Sequence, residues 1–371
     1  MIFTPRHIKE GKHYRHALKR LIHYKEDILP EKDLATLRGL LADLQAALKT
    51  RQRAAIEKVR NDIEKSVGRI VPPLPNAGWR ENVEVFVVAI VIAAGVRAYF
   101  LQPFKIPTGS MQPTLFGIVG TPNEEPLPNI LKRAFDLVWL GRHHIDLRAV
   151  GETEVRELRE STYLNFFTFT QIICNGKSYR LFAPKAPLVK DFELRPGKIY
   201  ADGEVMARGT VDTGDQVFVD KFSYNFRRPE AGDVFVFKTT GISRIQATLP
   251  AGVESQHYIK RLAGLPGQAL RIDAPKLFVN GAVSENPLFQ RVMSEKNGYR
   301  GYSNPSTLQG ALYLTAPGDS FTLPEKTYFA LGDNSDHSSD SRFWGIVPEQ
   351  NVAGRGFVVY WPFSKRWGLI R

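Results

Sequence analysis

The chain is 371 residues long and 43% hydrophobic, with a net charge of +12 from 50 Lys+Arg against 38 Asp+Glu. That length predicts two or three domains with ample material for a buried core. Its one cysteine, Cys174, excludes an intramolecular disulfide and a cysteine-based metal site, while a domain of this size needs no disulfide to fold outside the cytoplasm.

The charge is uneven: residues 1–82 hold 17 Lys+Arg and 10 Asp+Glu, which is +7 of the total. The first residues are polar and basic, without the pattern of a cleavable signal peptide. Residues 5–27 and 31–68 are predicted helical. In the second stretch Leu34, Leu37, Leu41, Leu44 and Leu48 recur at spacings of three and four. Glu31 and Asp33 lie in its first turns, and Pro72-Pro73-Leu74-Pro75 ends it. This basic region, 1–78, reads as a helical hairpin with a solvated face. Cationic helices without a reading motif give no ground for a nucleic-acid partner.

Trp79-Arg80-Glu81-Asn82 leads into an apolar stretch, Val83–Leu101. Only Val85–Val96 is free of charge, which is short against the roughly 20 residues of a membrane span. The whole stretch, as a helix, is about 28 Å long. Arg97 can snorkel, and Trp79 and Tyr99 suit the two interfacial belts. A transmembrane helix over 79–101 is expected, with a buried core helix as the alternative. The basic residues before it place the N-terminus on the cytoplasmic side.

Pro107-Thr108-Gly109-Ser110-Met111-Gln112-Pro113-Thr114-Leu115 follows. Prolines fence a serine that such a turn can hold exposed and aimed, although a Ser-Gly turn beside prolines is usually only a turn. Residues 120–210 read as an inserted β-rich subdomain. Ile130–Arg148 is mixed apolar and basic, and Phe166–Val211 reads as β, with hairpin turns at Asn175-Gly176 and Asp202-Gly203. His143, His144 and Asp146 lack the spacing and support of a metal site. Residues 102–119 and 211–371 alternate short β-branched and aromatic runs with turns, which predicts a mostly antiparallel β domain. The fold class expected is therefore mostly β, with an N-terminal α-helical region and one transmembrane helix.

Three segments of that domain bear on the serine: Gly214-Asp215-Gln216-Val217-Phe218-Val219-Asp220-Lys221-Phe222, Tyr258-Ile259-Lys260-Arg261-Leu262-Ala263-Gly264-Leu265-Pro266-Gly267, and Gly332-Asp333-Asn334-Ser335-Asp336-His337-Ser338-Ser339-Asp340-Ser341-Arg342-Phe343-Trp344-Gly345. A serine hydroxyl needs a base, and no histidine sits in a triad motif. A lysine serves if burial strips its proton near working pH. Strand alternation turns Lys260 inward and Arg261 outward. In this order, with the serine turn and the apolar segment, the boxes resemble the bacterial type I signal peptidase (leader peptidase) family, over roughly residues 79–119 and 211–371.

The resemblance implies a membrane-bound serine endopeptidase that removes signal peptides from exported preproteins after small residues of Ala-x-Ala type. Its catalytic domain would lie outside the cytoplasm, and it would need no metal or organic cofactor. It implies Ser110 as the acylated nucleophile, Lys260 as general base, Ser338 as the hydroxyl that orients the lysine, and the Ser110 N–H with the Thr108 hydroxyl as the oxyanion hole. Asp340 and Arg342 match a structural pair beside the site. Phe104, Ile106, Met111, Leu115, Tyr258 and Ile259 match the apolar lining of the substrate pockets. Two positions depart from the family pattern: Gln268 stands where an acidic residue is common, and Ser335 where a basic one is. Partners expected are preprotein signal peptides, the lipid bilayer, which Phe100 and the aromatic C-terminus at Trp361, Phe363 and Trp367 suit, and the secretion translocon. The rival readings are another Ser/Lys processing peptidase, a self-cleaving repressor, which would need a DNA-binding head, and a catalytically silent tethered scaffold for extended peptides.

Overall fold

The structure, a computed structural model, describes residues 5–72, 77–163, 167–249 and 253–370. It divides into two compact units, residues 1–91 and 92–371. The first contains α1 (Arg6–Lys25), α2 (Glu31–Thr50) and α3 (Arg53–Ile70). These wrap Leu18, Ile22, Leu34, Leu37, Leu44 and Ile63 into a core of their own. The hairpin expected from the sequence is thus corrected to three helices. Arg51 adopts a left-handed conformation, φ 56°, and ends α2 without a glycine or proline to announce it. Of the proline run expected to end this region, Pro73-Leu74-Pro75 lies outside the described residues, as does Phe166 at the expected start of the insert's β segment.

The next helix, α4 (Ala77–Tyr99), crosses the boundary between the units. From Gly78 to Tyr99 it is long and apolar enough to cross a membrane, with mean hydropathy 1.7 and its residues unburied. At the usual rise it measures about 33 Å. It stops two residues short of the expected end. Leu101 instead opens the strand Leu101–Lys105, paired in register with Asp220.

The second unit is built on antiparallel sheets. The largest runs in the order Leu101–Lys105, Gln216–Asp220, Val352–Trp361, Val234–Lys238, His257–Gly264, Thr327–Leu331, Val347–Pro348, with Gly368–Leu369 also paired to Val352–Trp361. Alternation along these strands feeds apolar groups on both faces. Val217, Val219, Val234, Val236 and Val359 pack with Ile106, Met111 and Leu115, while Phe235, Phe237, Leu262, Tyr328 and Trp344 form another cluster. A second sheet orders Ala282–Val283, Lys276–Val279, Ala269–Asp273 and Ser320–Thr322.

Residues 119–212 form two further sheets. Val119–Pro122, Val205–Asp212 and Arg142–Arg148 make one, and Ser178–Leu181, Phe167–Cys174, Thr153–Tyr163 and Ile199–Tyr200 the other. Their shared core includes Val155, Ile172, Leu188, Leu194 and Val211. Asn175-Gly176 turns a hairpin between paired strands. Asp202-Gly203 turns the chain but makes no hairpin: the strand before it pairs with Thr153–Tyr163 and the strand after it with the other sheet. Ile130–Leu140 is a helix, α5, capped by the Asn129 side chain on the Lys132 N–H.

Candidate active site

Ser110 sits in a 3₁₀ turn, Gly109–Met111, just after the edge strand Leu101–Lys105. The turn is held from several sides. Met111 and Leu115 are fully buried beneath it. The Asn334 N–H donates to the Ser110 carbonyl at 3.1 Å, and the Asn334 side chain donates to the Gly109 carbonyl at 3.0 Å. Gly117 crosses behind it so closely that a Cβ there would lie 2.3 Å from the Thr108 carbonyl carbon. Asp215, from the Gly-Asp box, is buried. It accepts the Phe116 N–H at 2.7 Å and both arms of the Arg366 guanidinium at 2.8 Å, so it ties the end of the serine loop to the C-terminal segment.

Lys260 lies in His257–Gly264, directly opposite Phe235. Tyr258 and Leu262, two residues away on either side, share its face. This apolar setting leaves the lysine 4% exposed and Ser110 7%. Lys260 Nζ donates to Ser110 Oγ at 2.5 Å. Burial, which penalises the ammonium, pulls the lysine down to about 8, against the opposing pull of Asp340 and Asp333. Thr108 Oγ1 lies 3.4 Å from Ser110 Oγ, at the exposed edge of the turn. Above the pair opens a cleft of about 310 Å³ lined by Thr108, His257, Tyr258, Ile259, His337 and Ser339, with Ser110 and Lys260 at its inner end.

Three expectations are corrected here. Arg261 points to the opposite face from Lys260, yet it is fully buried because that face is covered as well. It donates to both Asp333 oxygens, at 2.6 and 2.5 Å, and to the Gly232 carbonyl at 2.7 Å. Thr114, four residues after Ser110, donates to the same Asp333 and meets the Tyr299 hydroxyl at 2.9 Å. The Arg261–Asp333 pair therefore locks the serine loop to the lysine strand. Sequence reasoning missed it, although Asp333 stands in a quoted box.

The second correction concerns Ser338. Its hydroxyl is buried and, among the described residues, bonds to no partner, Lys260 included. It lies against Gly332, where a Cβ would sit 2.1 Å from Ser338 Oγ and 2.5 Å from the Ser110 carbonyl oxygen. Glycine alone lets these two serines approach from either side.

The third correction is to the lining. Ile106, Met111 and Leu115 belong to the core below the turn rather than to the cleft, because apolar residues flanking a buried turn pack downward. Tyr258 and Ile259 do line the cleft. Phe104 is half-buried and tilts against the His257 ring at 5.2 Å between centroids.

Asp340 and Arg342 form a fully buried bidentate pair at 2.8 Å. Burial would raise the Asp340 carboxyl, but Arg342 outweighs it and holds it below the usual range. Asp340 also accepts the Gly332 N–H at 3.0 Å. The two departures from the family pattern have local partners: Ser335 Oγ accepts from Arg342 at 2.8 Å, and Gln268 Oε1 accepts the Leu265 N–H at 2.9 Å, closing its turn. The His143, His144 and Asp146 side chains do not converge. His144 Nε2 lies 2.7 Å from Asp136, and Asp146 pairs with Arg208 at 2.9 Å. Among the described residues no group of three or more His, Cys, Asp or Glu is gathered as a metal would need.

A serine and a lysine thus lie in hydrogen-bond contact, both buried beside an open cleft on an antiparallel sheet. Residues 196–361 match the family described as signal peptidase, peptidase S26. A signal peptidase I of Pseudomonas fluorescens is 30% identical over 226 residues, covering 50% of this chain and 72% of that protein. A probable signal peptidase I-1 of Synechocystis sp. is 30% identical over 186 residues, 50% of this chain and 80% of the relative. The signal peptidase I of Leptolyngbya laminosa is 34% identical over 160 residues, 42% of this chain, which spans 64% of that relative's length. A crystal structure of a signal peptidase I from Enterococcus faecalis V583 aligns with 35% of this chain and 97% of that chain, at 26% identity and a TM-score of 0.25. The chain belongs to the type I signal peptidase family.

Proposed function

We propose that this protein is a membrane-bound serine endopeptidase that cleaves N-terminal signal peptides from exported preproteins after small residues, with Ser110 as nucleophile and Lys260 as general base. The 2.5 Å contact between Lys260 Nζ and Ser110 Oγ carries this reading, together with the burial that favours a neutral amine. In the reaction, the Ser110 hydroxyl passes its proton to neutral Lys260 as Oγ attacks the scissile carbonyl. The Ser110 N–H and the Thr108 hydroxyl face the developing oxyanion, each worth a few kcal/mol in such a site. The lysine ammonium then protonates the leaving amine, and a water activated by the same lysine hydrolyses the acyl-enzyme.

Asp340, Arg342, Asp333 and Arg261 keep the two loops in register. Ser338, whose hydroxyl meets no partner among the described residues, is assigned the role of orienting the lysine once its proton has moved. Tyr258 and Ile259 wall the cleft, with Phe104 packed behind His257, closely enough to favour Ala, Gly or Ser beside the cut. An extended substrate adds alongside the edge strand that leads to Ser110. Helix α4 tethers the domain to the bilayer, with the N-terminal helices cytoplasmic and the β domain outside, where preproteins arrive from the translocon. No metal or organic cofactor enters this chemistry.

The test is cleavage of a preprotein with an Ala-x-Ala boundary, in detergent, by wild type, Ser110→Ala and Lys260→Ala. Cutting at that boundary by wild type alone, with both variants folded, is expected. Inert wild type, or cleavage by Lys260→Ala, overturns the reading and leaves a peptide-binding scaffold or a different processing peptidase.

A further inference from the structure

The N-terminal helices carry a groove of about 720 Å³ between α1 and the end of α2. Lys12, Arg15, His16 and Lys19 enter it from α1, and Lys49 and Arg51 from α2 and its cap. The first four recur at i, i+3, i+4 and i+7, so one face of α1 delivers all of them. Ile8 and Leu48 floor it, and no carboxylate lines it.

The ion pairs of these helices lie outside the groove. Outside the groove, Arg6, Arg38, Arg53 and Arg60 each reach a carboxylate, on Glu10, Glu31, Glu57 and Glu64. Among the described residues, Lys12, Arg15, Lys19, Lys49 and Arg51 are in no ion pair. Among the described residues Arg20 and Arg69 outside the groove are in no ion pair either, so what sets the groove apart is that five lysines and arginines and no carboxylate share one concavity. Like charges crowded around a depression raise its potential and favour a multiply charged anion. The groove has the volume of a small-molecule site. Its α1 stripe is about 10 Å long, enough to meet a group that carries two phosphates.

We propose that this groove binds a phosphate-bearing group carrying at least two negative charges. The group comes either free in solution or on an anionic lipid. The proposal stands apart from the peptidase chemistry.

The full chain in detergent is titrated with inorganic pyrophosphate by calorimetry. It is compared with a K12Q/R15Q/K19Q variant and with a K32Q/K58Q/K65Q variant that loses the same charge outside the groove. Saturable binding that weakens at least about tenfold in the first variant only is expected for a free phosphate ligand. In the second arm, acetylation rates of Lys12, Lys19 and Lys49 are read by mass spectrometry in nanodiscs of phosphatidylcholine with or without cardiolipin, whose headgroup links two phosphates. Protection of these three by cardiolipin, with Lys32, Lys58 and Lys65 unprotected, assigns the site to a lipid headgroup. Absence of both pyrophosphate binding and selective protection overturns the proposal, as does equal weakening in the two variants.

Discussion

Two faces of one strand treat a buried cation in opposite ways. Lys260 and Arg261 are neighbours in sequence and both lie out of water. On one face Arg261 meets a bidentate carboxylate and a carbonyl, and Asp333 holds it charged against burial, its proton bound more firmly than usual. On the other, Lys260 donates to a neutral hydroxyl, and burial brings it down to about 8. The charged carboxylates nearby are already committed, Asp340 to Arg342 and Asp333 to Arg261. Burial alone therefore does not make a base. Burial with the local anions occupied by arginines does, because the ammonium then has little to offset its desolvation.

The contrast can be broken from either side. The largest effect is on turnover: Ser110→Ala or Lys260→Ala lowers kcat for an Ala-x-Ala preprotein at least about 10⁴-fold, with circular dichroism unchanged. Next is stability on the paired face. Asp333→Ala strands a buried guanidinium, so chemical denaturation is expected to show a loss of about 3–5 kcal/mol, and the serine loop loses its tie through Thr114.

On the unpaired face the sign reverses. The folded protein pays for an ammonium out of water, so Lys260→Met stabilises it at pH 7, by up to about 3 kcal/mol from the fall of 10.5 to about 8. Below pH 8 the lysine is charged whether folded or unfolded and the gain is full. It fades as pH rises from 8 to 10.5, where the folded state is already neutral. A gain independent of pH across that window would show that packing and not ionisation sets it. The smallest effect is at Ser338. Its hydroxyl has no partner among the described residues, so Ser338→Ala changes stability by less than about 1 kcal/mol, while kcat falls about 10- to 100-fold if the hydroxyl orients the lysine. An unchanged kcat would remove Ser338 from the machinery.

What was legible in the sequence follows the same physics. The Ser110 and Lys260 boxes stood out only together, through the family resemblance, because a fenced serine turn and a strand lysine are each, alone, more often a plain turn and a solvated lysine. Alternation told which way Arg261 faces, but a strand cannot report whether that face is covered, and the cover comes from Asp333 and Thr114, far away in the chain. Hydropathy could not separate Tyr258 and Ile259, which line the cleft, from Met111 and Leu115, which lie under it. The break at Arg51 carries no glycine or proline, so the leucine periodicity ran past it. Asp202-Gly203 signalled a turn correctly, yet which strands pair across a turn is decided by the sheets on either side.

The pH dependence of kcat/KM on an Ala-x-Ala substrate tests the central claim most directly, because His257 and His337 share the cleft with Lys260 and offer a rival base. If the buried lysine is the base, kcat/KM rises about tenfold per pH unit on the acid side and levels off near 8. Burial and nearby lysines hold His257 below its ordinary value, so a limb that levels off at or below the histidine range, together with activity surviving in Lys260→Ala, would contradict the account.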